Sequence, residues 1–409
     1  MEASKRFSVL LRVDYDFKIL LLIATTLWIY SSFLKFPFIQ PSNYSDVSYL
    51  WIRDVYQGHH NLQIPYVDYV LEYPPLIGGL IWIGQLVSTY APIVIDQYNT
   101  YVVAESVLLY PFLIGTIYNV YVLCAKYRID KKRIYLFMLT TLTFVIYGFY
   151  NWEMLVVYLA TLAIRFYLDK RFDASAIALS AAVLAKFIPA IMTPAMLAAL
   201  PNNRARLRFI AIAALVWGAV NAPFALMNFN VWVQLFIGGG GPDHQLQNTW
   251  ISWPIVLAGL GDIISGHRQG MALSFGIIGY LIIRSLASKK TTFQKLLVSW
   301  YAWYGAIYLF DPQMFIELMP IVILTTDFNF TLYRIADLLN AFIILFYFIG
   351  GSYPDLPRYL TDQLTPFGLI NMSAALRQLI FLGEYFLCFN PARRARMSQF
   401  FRSLTSPMR

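Results

Sequence analysis

The chain has 409 residues, of which 59% are hydrophobic, 17% aromatic and only 13% charged, and its mean hydropathy is +0.57. Soluble domains carry about 25% charged residues, so this composition excludes a soluble protein and predicts an integral membrane protein. The formal net charge of +9 does not indicate nucleic-acid binding, because most of the 31 basic residues lie in short loops between apolar runs, as cytoplasmic loops do. Two cysteines, Cys124 and Cys388, are too few for a disulfide framework.

The first apolar run, 17–38, follows a basic N-terminal flank and is interpreted as a retained signal anchor. An apolar helix needs about 20 residues to cross the hydrocarbon core. With the basic loops assigned to the cytoplasm, the first span carries the next loop to the non-cytoplasmic side and the sequence predicts about twelve spans, with both termini cytoplasmic. The other predicted spans are 99–124, 134–149, 152–168, a helical hairpin at 174–201, 208–227, 269–288, 295–310, 313–327, 331–350 and 367–389.

The run Leu76–Tyr90 is apolar, but the charge pattern argues against a crossing. If it crossed, the span at 99–124 would deliver five cations between Lys126 and Arg133 to the outer face, against the bias of such residues towards the cytoplasm. The run is therefore expected to lie along the outer membrane surface or to dip in and return. The chain is predicted to be one all-α domain over 1–409, with a first outer loop at 39–98 and a second at 228–266.

Asp46 is the first carboxylate of the first outer loop. A carboxylate beside the membrane and partly shielded by aromatic rings can accept a proton from a substrate hydroxyl. The alternative is a solvated loop acid. Further along the same loop, Glu72 and Tyr73 precede Pro74 and Pro75, which fix a rigid corner. This corner either aims Glu72 and Tyr73 at a ligand or only starts a helix.

Two cations fall within predicted spans. Lys186 lies between apolar residues of the hairpin, where a lone ammonium is costly and ionisable groups are usually functional. It is a candidate to hold a lipid phosphate, the alternative being that its side chain reaches to the membrane surface. Arg377 in the last span is a candidate phosphate ligand for the same reason. The alternative is that it forms an ion pair with Glu384, which lies on the same helix face.

Other polar residues at the outer ends of spans are weaker candidates. They are Asn151, Glu153 and Gln313. The four histidines have no paired spacing, so no metal ligand set is predicted.

Taken in order, these features resemble the glycosyltransferase C superfamily, in particular mannosyltransferases that use polyprenyl or dolichyl phosphate mannose. Asp46 in SDVSY is similar to the first acid of a DxD-like element, and Ser48 stands where a second acid is expected. The other matching elements are Gly58 with Pro65–Leu76, Asn151–Glu153, Lys186–Pro189, Asn221–Phe224, Asn248–Pro254 and Asp311–Pro320.

The resemblance implies an inverting transfer of a hexose, most simply mannose, to a lipid or glycan hydroxyl on the non-cytoplasmic face. It implies Asp46 as general base, Lys186 as a donor phosphate ligand, and no required cofactor. Arg377 lies beyond the resembling stretch of about 45–320 and is a second candidate phosphate ligand because of its position in a span. Six residues would position substrate: Glu72, Tyr73, Asn151, Glu153, Asn248 and Gln313. The expected partners are the polyprenyl or dolichyl phosphate sugar, the acceptor, membrane lipids and a small membrane subunit.

The expected location is the cell membrane, or the endoplasmic reticulum membrane in a eukaryote. Two alternatives stay open on the sequence alone. A transporter or flippase would favour inverted repeats and broken spans, and no repeat is found. The chain could also be a non-catalytic subunit of a glycosyltransferase complex.

Overall fold

The computed structural model describes residues 15–35, 45–56, 63–91, 96–237, 246, 248–352 and 355–390. These residues form helices joined by short connections, without a β-strand among them, so the all-α class is confirmed for this part of the chain. The α-helices are α1 Tyr15–Phe33, α2 Asp46–Tyr56, α3 Pro75–Tyr90, α4 Gln97–Tyr127, α5 Lys132–Ile134, α6 Leu142–Tyr147, α7 Glu153–Leu168, α8 Phe172–Ala185, α9 Thr193–Ala199, α10 Asn203–Met227, α11 Phe229–Trp232, α12 Gln234–Ile237, α13 Ser252–Leu257, α14 His267–Ala287, α15 Thr292–Ala306, α16 Phe315–Leu324, α17 Phe330–Ser352, α18 Arg358–Thr361 and α19 Leu369–Leu387.

Five of the described helices are long and apolar enough to cross a membrane, namely α1, α4, α10, α14 and α17. Their sequences contain few charges, and α10 exposes Leu215 and Leu226, as expected of a helix whose solvent is lipid. The total of about twelve spans stays a prediction, because several predicted spans form shorter or interrupted helices.

The predicted span 134–149 shows how such an interruption arises. A π-helical turn at Tyr135–Leu139 follows α5, and the chain restarts as α6. The side chain of Thr141 accepts a hydrogen bond from the Phe144 N–H at 3.1 Å. The carboxylate of Asp337 in α17 accepts from the N–H groups of Leu142 and Thr143 at 3.0 and 2.9 Å. A helix end inside the protein needs such partners, so α17 fixes where α6 begins.

The predicted hairpin 174–201 is likewise two helices with a change of direction between them. Helix α8 ends at Ala185, and a 3₁₀ turn at Ile188–Met192 leads into α9. Lys186 is extended, with φ −159° and ψ 140°, so it leaves the helix axis at this point. Its side chain thereby starts from a break in the helical structure.

The centre of the molecule is α16, in which every residue is buried. It packs against α7, and α7 packs against α4 and α8. Helix α3 packs against α4 and α8 through a buried stripe that includes Gly78, Ile81 and Gly84. The start of α2 and the connections before α7 and α16 meet beside this core, and they carry Asp46, Asn151 and Gln313.

Candidate active site

Asp46 and Gln313 meet, although 267 positions separate them in the chain. Asp46 is the first residue of α2, and the Ser45 hydroxyl accepts a hydrogen bond from the Ser48 N–H at 3.1 Å, which caps the helix. The Val47 N–H donates to the Tyr150 carbonyl at 3.3 Å and docks the start of α2 onto the α6–α7 connection. Gln313 Nε2 then donates to Asp46 Oδ2 at 3.3 Å.

A cavity of about 220 Å³ opens beside this pair. This volume is that of about seven water molecules in liquid water, which is close to the size of one sugar ring. Its wall combines carboxylates, amides and phenols, the side chains that hydrogen-bond and stack on sugars. The lining residues are Asp46, Tyr147, Tyr150, Asn248, Asp311, Pro312, Gln313, Ile343, Ile344, Tyr347, Gln363 and Ile370.

Asp311 is the second carboxylate of this cavity. Asn248 Nδ2 donates to its Oδ1 at 3.2 Å. Burial raises the pKa of Asp311, and the hydrogen bond from Asn248 and the positive charges of Lys186 and Arg377 oppose that rise. Asn248 itself has φ +57°, a left-handed conformation that asparagine tolerates better than most residues.

Two buried polar atoms of the cavity wall have no hydrogen-bond partner among the described residues. They are the Tyr147 hydroxyl and Asn248 Oδ1. An unpaired buried polar group costs about 1–3 kcal/mol, so each is ready to bond a polar ligand. Tyr147 also lies within electrostatic range of Asp46 and Asp311.

Arg377 lies behind this cavity and holds its loops. The guanidinium is fully buried over the Phe310 ring, with Cζ 3.8 Å from the ring centroid. It donates to the carbonyls of Phe310 and Asn248 and to Asn340 Oδ1. Asn340 Nδ2 donates in turn to the Pro312 carbonyl at 3.0 Å. These bonds fix the loops that present Asp311 and Asn248, and they leave Arg377 facing the protein interior.

Lys186 lies in a buried cluster with two carboxylates. Its ammonium contacts Glu153 Oε1 and lies 3.1 Å from Glu317 Oε1. Asn151 Nδ2 also donates to Glu153 Oε1 at 3.1 Å, and Asn151 Oδ1 accepts from the Glu153 N–H at 3.0 Å. The predicted residues Asn151, Glu153 and Lys186 are therefore together, with one positive and two negative formal charges including Glu317.

The cavity and the Lys186 cluster are neighbours. The charges of Lys186 and Glu153 both act on Asp311, and Tyr304 lies within electrostatic range of Glu317 and Arg377. Because ionised groups interact strongly in a low-dielectric interior, the two clusters form one charged region.

Glu72 and Tyr73 do not line the cavity. Glu72 is half-exposed and forms an ion pair with Arg53 at 2.5 Å. The Tyr73 ring packs edge-on against Trp152 with 5.1 Å between centroids, and its carbonyl accepts a hydrogen bond from the Tyr66 hydroxyl at 2.5 Å. Tyr73 thus touches the residue before Glu153, whereas Glu72 is paired with Arg53.

No group of three or more His, Cys, Asp or Glu in the described ranges could hold a metal ion. Gly58 and three histidines, His59, His60 and His244, lie outside those ranges.

The sequence reasoning missed three kinds of residue in this region. Glu317 is an ionisable residue in an otherwise apolar run, which is itself a signal of function in a membrane protein. Lys35 follows α1 and was counted inside the first span. Tyr147 and Asn340 carry no local signal, because their importance depends on helices distant in sequence.

No protein-family model matches this chain, and a comparison with curated proteins found no match.

Proposed function

We propose that this chain is a membrane glycosyltransferase that moves a hexose, most simply mannose, from a polyprenyl or dolichyl phosphate carrier to a hydroxyl of a lipid or glycan acceptor. The observation that carries the proposal is the cavity of about 220 Å³ with Asp46 and Asp311 in its wall. Paired carboxylates surrounded by amides and phenols suit a sugar ring and an acid–base step.

In this proposal Asp46 is the general base. It takes the proton of the acceptor hydroxyl as the acceptor oxygen forms its bond to the anomeric carbon. The bond from that carbon to the phosphate oxygen breaks, and the electron pair leaves with the phosphate. Attack opposite the leaving group inverts the anomeric centre. Gln313 orients Asp46 through the bond at 3.3 Å.

Asp311 and Asn248 are suited to bind hydroxyls of the sugar ring. Asn248 Oδ1 is an acceptor without a partner among the described residues, and Asp311 is fixed by the amide of the same asparagine. The tyrosines of the wall offer ring faces and hydroxyls. Together they would hold the ring while Asp46 acts on the incoming hydroxyl.

The Lys186 cluster supports the site from one side. Asn151 and Glu153 start α7, and Glu317 comes from α16, so the cluster ties together the helices beneath the cavity. Removing one partner of a buried ion pair leaves an uncompensated charge, which costs about 3–5 kcal/mol. A positioning role for this cluster follows from the same bonds.

The test is Asp46→Asn, which keeps the shape of the side chain and removes the base. Loss of a general base lowers the rate by about 10²–10⁴-fold. We expect transfer of labelled hexose from polyprenyl phosphate mannose to fall by that factor in isolated membranes, with expression unchanged. Asp68→Asn is the matched control, since Asp68 is an exposed carboxylate of the same outer loop. Full activity of Asp46→Asn would remove Asp46 from the mechanism.

A further inference from the structure

The donor in the proposed reaction carries a phosphate, and the structure raises the question of which cation binds it. The two cations expected in that role are both engaged elsewhere. Arg377 is fully buried and donates to carbonyls and to Asn340. Lys186 has two carboxylate partners, Glu153 and Glu317, and its ammonium is already paired with both.

Among the described residues, the cavity wall itself also lacks a cation that would bind the phosphate. Asp46 and Asp311 are both in its wall, and like charges at close range repel strongly where the dielectric constant is low. A neutral sugar ring fits between two carboxylates, whereas a phosphate gaining negative charge does not. The phosphate therefore needs a cation at the edge of the cavity.

Lys35 lies next to two residues of the cavity wall. It lies just beyond the end of α1, its side chain is buried at 6% relative exposure, and Nζ is 5.1 Å from the centroid of the Tyr150 ring. Tyr150 and Asp46 both line the cavity, and the charge of Asp46 acts on Lys35. The ammonium is thus placed behind the cavity wall formed by those two residues.

We propose that Lys35 binds the phosphate of the lipid-linked donor, while Lys186 holds the helices beneath the cavity together. This inference rests on the proposed function for the identity of the donor. The flexible four-carbon stem of lysine lets the ammonium turn from the Tyr150 ring towards a phosphate at the cavity edge. There it would stabilise the charge that develops on the phosphate as the sugar leaves.

The protonation state of Lys35 is compatible with this role near neutral pH. Burial lowers the pKa of Lys35 to about 8, and the nearby Asp46 opposes this decrease. Among the described residues, the titratable neighbours that face it are Asp46 from α2 and Tyr150 from the α6–α7 connection. Lys35 therefore keeps its proton below about pH 8, and donor binding is expected to weaken as the pH rises through that value.

The experiment measures binding of undecaprenyl phosphate to the purified full-length protein in detergent, by the shift of its melting midpoint in a titration. Lys35→Met removes the charge and keeps the length of the side chain, Lys35→Arg keeps the charge, and Lys289→Met is a control at an exposed lysine. A charge-assisted hydrogen bond contributes about 1.5–3 kcal/mol. We expect Lys35→Met to weaken binding by roughly 10- to 100-fold, and Lys35→Arg and Lys289→Met to stay near the wild type.

Hexose transfer by the same proteins separates this inference from the proposed function. If the folded Lys35→Met variant transfers hexose at the wild-type rate and binds undecaprenyl phosphate with unchanged affinity, the phosphate site is overturned and the proposed reaction is not. Lys35-dependent binding without any transfer would overturn the reaction and support the phosphate site. If the wild type neither binds nor transfers, both are overturned. Equal, Lys35-dependent binding of phosphatidic acid would make this a general lipid phosphate site and overturn its assignment to the donor.

Discussion

At the scale of single residues, Lys35 is a cation in a buried position. A lysine at 6% relative exposure has lost most of its water, and its pKa falls from 10.5 to about 8 because burial outweighs the attraction of Asp46. Such an unfavourable arrangement persists where a function needs it. The proposed phosphate site gives Lys35 that function.

The same residue yields a prediction about stability and pH. The pKa of Lys35 is lower in the folded protein than in the unfolded chain, so the unfolded chain binds more protons between pH 8 and 10.5. The contribution of Lys35 to the stability of the folded protein therefore rises as the pH increases through that window. The shift corresponds to about 3 kcal/mol, all of it unfavourable below about pH 8.

Lys35→Met removes this cost, and we expect its melting midpoint in detergent to exceed that of the wild type near about pH 7. The difference should narrow as the pH rises towards about 10. Lys289→Met, at an exposed lysine, should follow the wild type throughout. A Lys35→Met midpoint that is lower than the wild type at every pH would show that the ammonium stabilises the fold.

Arg377 shows how a charge inside a predicted span can be held by hydrogen bonds to neighbouring loops. Its bonds go to two loop carbonyls and to Asn340 of α17, and its neighbour Gln378 donates to the Ile307 carbonyl at 2.7 Å. Both side chains therefore attach α19 to the loops that carry Asn248 and Asp311. The shape of the cavity depends on this attachment.

At the scale of elements, α3 carries the rigid corner that the sequence singled out. Pro74 and Pro75 start the helix, and Gly78 lies one turn further on against the Tyr66 ring. A Cβ atom at Gly78 would stand 2.0 Å from the Tyr66 hydroxyl, which donates to the Tyr73 carbonyl. The absence of a side chain at Gly78 therefore lets the loop before α3 close onto the helix.

Gly78→Ala tests this contact. Overpacking a buried site costs about 1–3 kcal/mol, so we expect a lower melting midpoint and a loss of activity as Tyr66 releases the Tyr73 carbonyl. The control is Gly79→Ala on the same helix, where a Cβ meets nothing within 4 Å. Alanine favours a helix over glycine by about 1 kcal/mol, so this variant should be equal to or more stable than the wild type. Equal midpoints for the two variants would contradict the close approach of Tyr66.

At the scale of the whole molecule, the orientation in the membrane stays a prediction from the distribution of charge. Five described helices have the length and composition of spans, and the basic loops place one set of helix ends in the cytoplasm. The two larger cavities, of about 610 and 570 Å³, are lined by residues such as Lys290 and Arg284 next to those loops. On this orientation they lie on the cytoplasmic side and the Asp46 cavity lies outside.

Cysteine labelling in intact cells tests the orientation. Both native cysteines would first be replaced by alanine, since Cys388 is partly exposed. A membrane-impermeant maleimide should then label Asp68→Cys from outside and leave Lys289→Cys unlabelled until the membrane is permeabilised, because both positions are exposed on the protein surface. Labelling in the reverse order would place the candidate active site in the cytoplasm and contradict a lipid-linked donor on the outer face.

The sequence by itself determined the membrane class, the all-α fold and several members of the polar region. Hydropathy and charge are sums over residues that are close in sequence, so they identify helices and loops without any knowledge of tertiary contacts. The unusual positions of Asp46, Lys186 and Arg377 were likewise visible, because an ionisable group next to apolar residues is conspicuous in any context.

Only the tertiary structure decided what those groups touch. Asp46 meets Gln313, and Lys186 meets Glu317, although the two members of each pair are far apart in the sequence. A buried charge must be paired where water is excluded, but the partner comes from whichever helix packs beside it, and no local pattern encodes that choice. For this reason only the structure shows that Lys186 is paired with two carboxylates and that Lys35, which falls inside a predicted apolar span, lies beside the Tyr150 ring of the cavity wall.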